Sequence, residues 1–134
     1  MEQSWKYRSE IHEIPRIRKD LEMLETEWSI PLSKKRQIMV IVEELFSNIV
    51  RFAYEDQQEH TIELRMKKNE SSVEIEIIDD GIPFNPLEYG KDRINDPSMA
   101  SSGGMGLTLV QTFANRMSYQ RRGDKNCLFI EKTI

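Results

Sequence analysis

Three short stretches of this chain combine residue types and spacings that chemistry can use. The first is Asp79-Asp80-Gly81-Ile82-Pro83-Phe84-Asn85-Pro86, which ends a run where Val73, Ile75 and Ile77 alternate with Ser72, Glu74 and Glu76. The odd positions face a core and Asp79 continues their row, so its carboxylate ends a buried face, where an acid is costly unless something satisfies it. Gly81 lets backbone approach whatever that acid contacts, and Pro83 and Pro86 stiffen the exit. Standing alone, the octapeptide reads more simply as a strand closing in an Asp-Gly turn. The second stretch carries Glu44 and Asn48, four residues apart in a helical pattern and therefore on one face. That face borders the buried row, where a carboxylate and an amide need partners; satisfaction by neighbouring backbone is the plain alternative. The third is Gly103-Gly104-Met105-Gly106-Leu107-Thr108, glycines running into a helix. Backbone N–H groups bared at a helix N-terminus attract anions, phosphate first among them, although glycine also precedes helices for packing reasons.

The elements that must hold these stretches follow from hydrophobic periodicity. Trp5, Tyr7, Ser9 and Ile11 alternate with charged residues and predict a first strand whose outer edge is unpaired. Pro15 opens a helix with Ile14, Ile17, Leu21, Leu24 and Trp28 on its inner stripe. Ser33 is the expected N-cap of a long helix from about Lys34 to Tyr54, with Ile38, Ile41, Val42, Leu45, Ile49 and Phe52 facing inward. Ile62, Leu64 and Met66 mark a second strand, joined by an Asn69-Glu70-Ser71 turn to the Val73–Asp79 strand as a hairpin. Residues 87–102 lack periodicity and are read as a lid. The helix after the glycines shows an apolar face of Leu107, Val110, Phe113, Ala114 and Met117. Two strands around Gly123-Asp124 complete the chain, with Cys127 and Phe129 on one face and Leu128 and Ile130 on the other.

The bulk composition sets outer bounds. The 134 residues fit a single domain, 1–134, large enough to bury a core without disulfides. A net charge of −4 argues against nucleic-acid binding, which needs a basic face. The absence of a long apolar run and of a signal-peptide pattern at Met1-Glu2-Gln3-Ser4 predicts a cytoplasmic protein without a membrane span. One cysteine and two histidines leave no zinc cluster, so a bound metal would be held by oxygen.

In this order, Glu-x-x-x-Asn on a helix, Asp-x-Gly-x-Pro-Phe at a strand end and Gly-x-Gly-Leu opening a helix together resemble the histidine-kinase-like ATPase superfamily. Glu44–Asn48 is similar to its N box, Asp79–Pro86 to its first glycine box and Gly104–Leu107 to its second. The form Asp-x-Gly-x-Pro-Phe-Asn-Pro and the short chain look most like the anti-sigma-factor serine/threonine kinases. The resemblance implies an α/β two-layer sandwich with a mixed, mostly antiparallel sheet covered on one face by helices. It implies that ATP and Mg²⁺ are bound, with Asn48 on the metal, Asp79 accepting from the adenine amino group and Gly81 admitting the ring. Phosphate would lie against Gly104, Met105, Gly106, Leu107 and Thr108, and Glu44 would be the general base of a protein serine/threonine kinase. Implied partners are a sigma factor or other regulator, a small antagonist protein carrying the phosphorylated residue, and a second copy of the chain in a homodimer. The alternative is a nucleotide-gated binding module that sequesters a regulator without phosphorylating anything.

The chain departs from that family pattern at three places. Phe52 stands where relatives often carry His, Ser101 and Ser102 where some kinases have an Arg, and Cys127 about where relatives have a Thr near the adenine. Lys91 or Arg93 could substitute for the missing Arg.

Overall fold

The computed structural model describes residues 1–54, 56, 58–88 and 105–134, the last stretch with side chains from Thr108 onward. In chain order the elements are β1 (Glu2–Arg8), a 3-10 turn (Ile11–Glu13), α1 (Ile14–Glu27), α2 (Leu32–Phe52), β2 (Thr61–Lys68), β3 (Ser72–Asp79), α3 (Met105–Phe113), β4 (Arg116–Arg122) and β5 (Lys125–Thr133). The strands form one five-stranded sheet in the order β1-β2-β3-β5-β4. Every pairing among the described residues is antiparallel, which narrows the expected mostly antiparallel sheet. β1 is an edge strand, as its sequence predicts.

Strand register sorts the side chains onto two faces. Trp5, Leu64, Ile77, Leu128 and Tyr119 lie in one cross-strand row, and Met66, Ile75, Ile130 and Met117 in the next. These rows meet the inner stripes of the helices in one buried cluster, with Ile17, Leu21 and Leu24 from α1, Ile38, Ile41, Leu45 and Ile49 from α2 and Val110 from α3. The opposite face carries rows such as Lys6, Glu63, Ile78, Cys127 and Gln120. The result is the two-layer arrangement expected from the period of each segment.

Element ends differ from the sequence expectation where a side chain or a carbonyl intervenes. β1 stops at Arg8, whose outward N–H donates to the Glu13 carboxylate at 2.9 Å; that carboxylate also binds Arg16, and Ile11 is in the 3-10 turn and exposed. α2 starts at Leu32, with Pro31 and not Ser33 at the N-cap. The Pro31 carbonyl accepts from the N–H groups of Lys34 and Lys35, so the backbone ladder begins before a serine cap is needed. Helix α3 ends at Phe113, so Met117 belongs to β4 and not to the helix face. Buried Lys132 donates from Nζ to the Phe113 carbonyl at 2.6 Å, placing a cation on the orphan acceptors of that helix end.

Glu25, on the α1 side facing α2, is 1% exposed and its Oε2 has no hydrogen-bond partner among the described residues. Burial pushes this carboxyl up to about 7, with Lys35 opposing the rise and Glu22 adding to it. From the ordinary 4.5 up to that value, the folded chain keeps a proton that the unfolded chain has released, so stability falls as pH rises through the window. Glu25→Gln has the same shape without the charge. Urea denaturation should show the variant gaining about 1–3 kcal/mol over the parent at pH 8 relative to pH 5; parallel pH profiles would contradict this.

Candidate functional site

The site begins where β3 ends. Asp79 is 3% exposed, and its Oδ1 accepts from the Gly81 N–H and from Asn126 Nδ2, both at 2.9 Å. Its Oδ2 has no hydrogen bond among the described residues. Burial raises the carboxyl above its ordinary value; the two donated hydrogen bonds and the charge of Arg121 pull it back, while Asp80 adds to the rise. Among the described residues, the acid at this position is thus satisfied on one oxygen only.

The partner on β5 is Asn126, which the sequence reading did not single out. Register pairs Asp79 with Asn126 and Ile78 with Cys127, so Cys127 points to the face away from the helices. Cys127, which the family pattern puts about where relatives have a Thr near the adenine, thus lies on the sheet face opposite to that of Asp79. Asn126 is 1% exposed. It donates to Asp79 and to the Ile82 carbonyl, and its Oδ1 accepts from Phe84 N–H, Arg121 Nη1 and the Tyr119 hydroxyl. The signal that would have found it is a lone amide opening the apolar run Cys127-Leu128-Phe129-Ile130 of the last strand.

Gly81 is close to backbone, as its type predicts, but the backbone is that of α2. A Cβ at this position would lie 2.3 Å from the Ala53 carbonyl oxygen, the atom that accepts from Ile82 N–H at 2.8 Å. The glycine thus seats the C-terminus of α2 on the turn after β3. Phe52 and Phe84 make a second contact between these segments, ring centroids 6.0 Å apart. Phe52 is one turn beyond Asn48 and two beyond Glu44, so the row Glu44, Asn48, Phe52 runs along α2 toward the Asp79–Pro86 segment.

Along that row Asn48 is buried and Glu44 half-buried, with no side-chain hydrogen bond to either among the described residues. The neighbouring Glu43 is engaged by Arg18 of α1, which leaves Glu44 as the unengaged acid. Burial raises the Glu44 carboxyl, opposed by Arg51 and supported by Glu43, so Glu44 is a stronger base than an exposed glutamate. Beyond the helix, Tyr54 stacks on His60 at 4.2 Å, and its buried hydroxyl has no hydrogen-bond partner among the described residues. His60 lies between Asp56, at 2.7 Å, and Asp80, at 3.2 Å, which ties the loop after α2 to the turn after β3.

Of the glycine-rich stretch, Met105, Gly106, Leu107 and Thr108 form the first turn of α3, Thr108 is exposed and Val110 anchors the helix in the core. Gly103 and Gly104 lie outside the described residues, as do 89–102 of the expected lid. Leu87 and Glu88 are helical. The structure therefore brings Asp79 and Gly81 against the end of the Glu44–Asn48 helix.

Comparison with known proteins decides the family. The Histidine kinase-like ATPase domain matches residues 7–132. The chain belongs to that family. It is 28% identical over 106 residues to the serine/threonine-protein kinase BtrW of Bordetella bronchiseptica, a match covering 78% of this chain and 73% of that protein. Its fold is that of a chain in the SiaB–SiaC complex of Pseudomonas aeruginosa, at TM-score 0.59 and 12% identity over 98% of this chain and 89% of the other. It also matches the catalytic domain of the histidine kinase ThkA, at TM-score 0.53 and 14% identity over 98% of this chain and 97% of that domain. A histidine kinase-like ATPase domain with a serine/threonine kinase among its relatives accords with the branch that its sequence motifs resemble. No described helix is long and apolar enough to cross a membrane.

The Gly81 contact yields a test. Gly81→Ala drives a methyl group into the Ala53 carbonyl, and the α2 terminus must shift to admit it. The substitution should destabilise the fold by about 1–3 kcal/mol in urea titrations, as overpacking does elsewhere. An unchanged midpoint would show that the turn does not depend on that close approach.

Proposed function

We propose that the protein binds Mg-ATP and acts as a serine/threonine kinase that phosphorylates a small partner protein in a partner-switching pathway. The observation that carries this reading is the one-sided satisfaction of Asp79: a buried carboxylate with Oδ1 occupied and, among the described residues, no donor on Oδ2, at the end of the helix bearing Glu44 and Asn48. An acceptor-only group in a dry wall suits the exocyclic amine of adenine. The serine/threonine kinase relative and the fold shared with a chain of a two-protein complex support the kinase and partner parts. A sigma factor or another regulator as the sequestered protein belongs to the same reading.

The donor set fits the metal. Among the described residues no cluster of three or more His, Cys, Asp and Glu could cage an ion, whereas Mg²⁺ at phosphates needs only one or two protein oxygens. Asn48, buried and without a side-chain hydrogen bond among the described residues, would supply one. When bound there, Mg²⁺ would neutralise charge between the phosphates. The backbone N–H groups of Gly104, Met105, Gly106 and Leu107, with Thr108 beside them, would hold the phosphate chain at the α3 N-terminus. Glu44 takes the proton from the partner's serine hydroxyl as its oxygen attacks the γ-phosphorus; the bond to the β-phosphate oxygen breaks and ADP leaves. Burial raises the Glu44 carboxyl, the direction that favours a general base.

The two α2 residues should separate. Glu44→Gln should bind Mg-ATP nearly as the parent does and lose phosphotransfer by roughly 10²–10⁴-fold, whereas Asn48→Ala should lose both the Mg²⁺ dependence of binding and the transfer. Labelled ATP with small candidate partners reads transfer, and calorimetry reads binding. If the parent binds ATP but labels no partner, and Glu44→Gln changes nothing, the protein is a nucleotide-gated binder.

Asp79→Asn gives an independent check of the base. Its amide oxygen can still accept from Gly81 and Asn126, so the turn is kept while an NH₂ group replaces the free acceptor. ATP affinity should fall at least about tenfold, because two donors then face each other. Unchanged affinity by calorimetry would remove adenine from this position.

A further inference from the structure

We propose that Asn126 is a positioning residue that sets base selectivity by occupying one oxygen of Asp79 and leaving the other as a single acceptor for the 6-amino group of the purine. This rests on the reading of the site as one for ATP. Asn126 does not itself contact the base in this account: both functional ends of its amide are already engaged.

The orientation of that amide is dictated by its surroundings. Three donors converge on Oδ1, from Phe84 N–H at 3.2 Å, Arg121 Nη1 at 3.2 Å and the Tyr119 hydroxyl. Two acceptors face Nδ2, Asp79 Oδ1 at 2.9 Å and the Ile82 carbonyl at 2.8 Å. A flipped amide would set NH₂ against three donors and a carbonyl against a carboxylate, so only one orientation is tolerable. The side chain is 1% exposed, and an amide buried to that extent is kept only when its hydrogen bonds are made.

Asn126 therefore joins the end of β3, the turn at 82–84 and the edge strand β4, with Asp79 as one of its dependants. Arg121 reinforces the arrangement by donating from the same Nη1 to the Gly81 carbonyl at 2.8 Å. The consequence for a ligand is directional. With Oδ1 consumed by Gly81 N–H and Asn126, the carboxylate can neither rotate nor offer both oxygens, and Oδ2 is left at one place in the wall. An amine donor matches it; a purine lacking that amine leaves a buried carboxylate oxygen unpaired.

Asn126→Asp changes one functional atom. The side chain keeps its shape and its acceptor toward Phe84, Tyr119 and Arg121, but the donor to Asp79 and Ile82 becomes an oxygen. Two carboxylates then meet at the Asp79 contact, and their pair retains a proton to higher pH than either acid alone. Below that transition the shared proton restores a bridge to Asp79 Oδ1; above it the bridge is lost. Among the described residues, the charged and titratable groups around the pair are Asp80 beside Asp79, Arg121 and Tyr119 from β4, Cys127 on β5 and Tyr54 after α2, with His60 in contact with Asp80. The parent protein carries all of these and serves as the control at each pH.

The experiment is calorimetric titration of the full chain with Mg-ATP and with the triphosphate of purine riboside, which lacks the 6-amino group, at pH 5.5 and pH 8. The parent should prefer ATP by about tenfold at both pH values, one buried hydrogen bond's worth. Asn126→Asp should lose most of that preference at pH 8 and regain it at pH 5.5, with little change in affinity for the purine riboside triphosphate. A purely structural pin would weaken both ligands equally and leave their ratio untouched, which would overturn the proposal. Should Asn126→Asp not fold by circular dichroism, Asn126→Ser decides: its short hydroxyl does not span the contact, and the ATP preference should drop at least about threefold. A retained preference there overturns the proposal as well. A parent that binds both triphosphates equally refutes the role of Asp79 and Asn126 while sparing triphosphate binding; a parent that binds neither refutes the nucleotide reading itself.

Discussion

A carboxylate buried at the end of an apolar strand is the constraint on which the rest of this structure depends. Removing an ionised acid from water costs several kcal/mol unless donors meet it, so the fold around Asp79 has to bring such donors and hold them still. One is local, the Gly81 N–H two residues on. The other comes from Asn126, 47 residues away on β5, so satisfying the acid requires the sheet to be assembled first. The orientation of the Asp79 carboxylate is therefore coupled to tertiary structure, and in the proposed reading its second oxygen is a defined acceptor only while the first is occupied.

The same turn meets a second demand from the helical layer. Gly81 has no Cβ because the Ala53 carbonyl fills that space, and Ile82 N–H binds the same carbonyl. The C-terminus of α2 is thus pinned to the residues that follow Asp79. Since Glu44 and Asn48 lie on that helix, their distance from the acid is set by a backbone contact and by the Phe52–Phe84 packing, not by a flexible loop. His60, held between Asp56 and Asp80 with its pKa raised chiefly by the Asp56 hydrogen bond, adds a clasp between the same two segments. Rigid placement of this kind is what phosphoryl transfer asks of a protein, because positioning and charge supply most of the catalysis.

Much of this was legible in the chain. Alternation from Val73 to Ile77 places Asp79 on the buried face with no knowledge of what covers it, and the four-residue step from Glu44 to Asn48 puts both on one side of α2. The hairpin through Asn69 followed from its turn residues, and the Asn69 side chain accepts from the N–H groups of both Ser71 and Ser72. Element ends were less legible. Ser33 has the chemistry of a cap, but the Pro31 carbonyl begins the ladder two residues earlier; Met117 continues a helical spacing, yet the chain has already turned into β4. Local periodicity cannot see a backbone acceptor or a strand partner that competes with it.

The sequence by itself determined which residues share the inner face of α1, α2, β2 and β3, the acid at the end of β3 and the order of the three motifs, since each of these depends on residues close along the chain. Only the tertiary structure decided which residue of β5 meets Asp79. Asn126 and Cys127 are adjacent, and alternation alone allows either to face the helices. The choice is made by register: the turn at Gly123, with φ of 61°, pairs β5 with β4, and the β3 pairing sets Asn126 opposite Asp79. In a sheet a slip of one residue exchanges the two faces, so a single long-range pairing determines whether the buried acid meets an amide or a thiol.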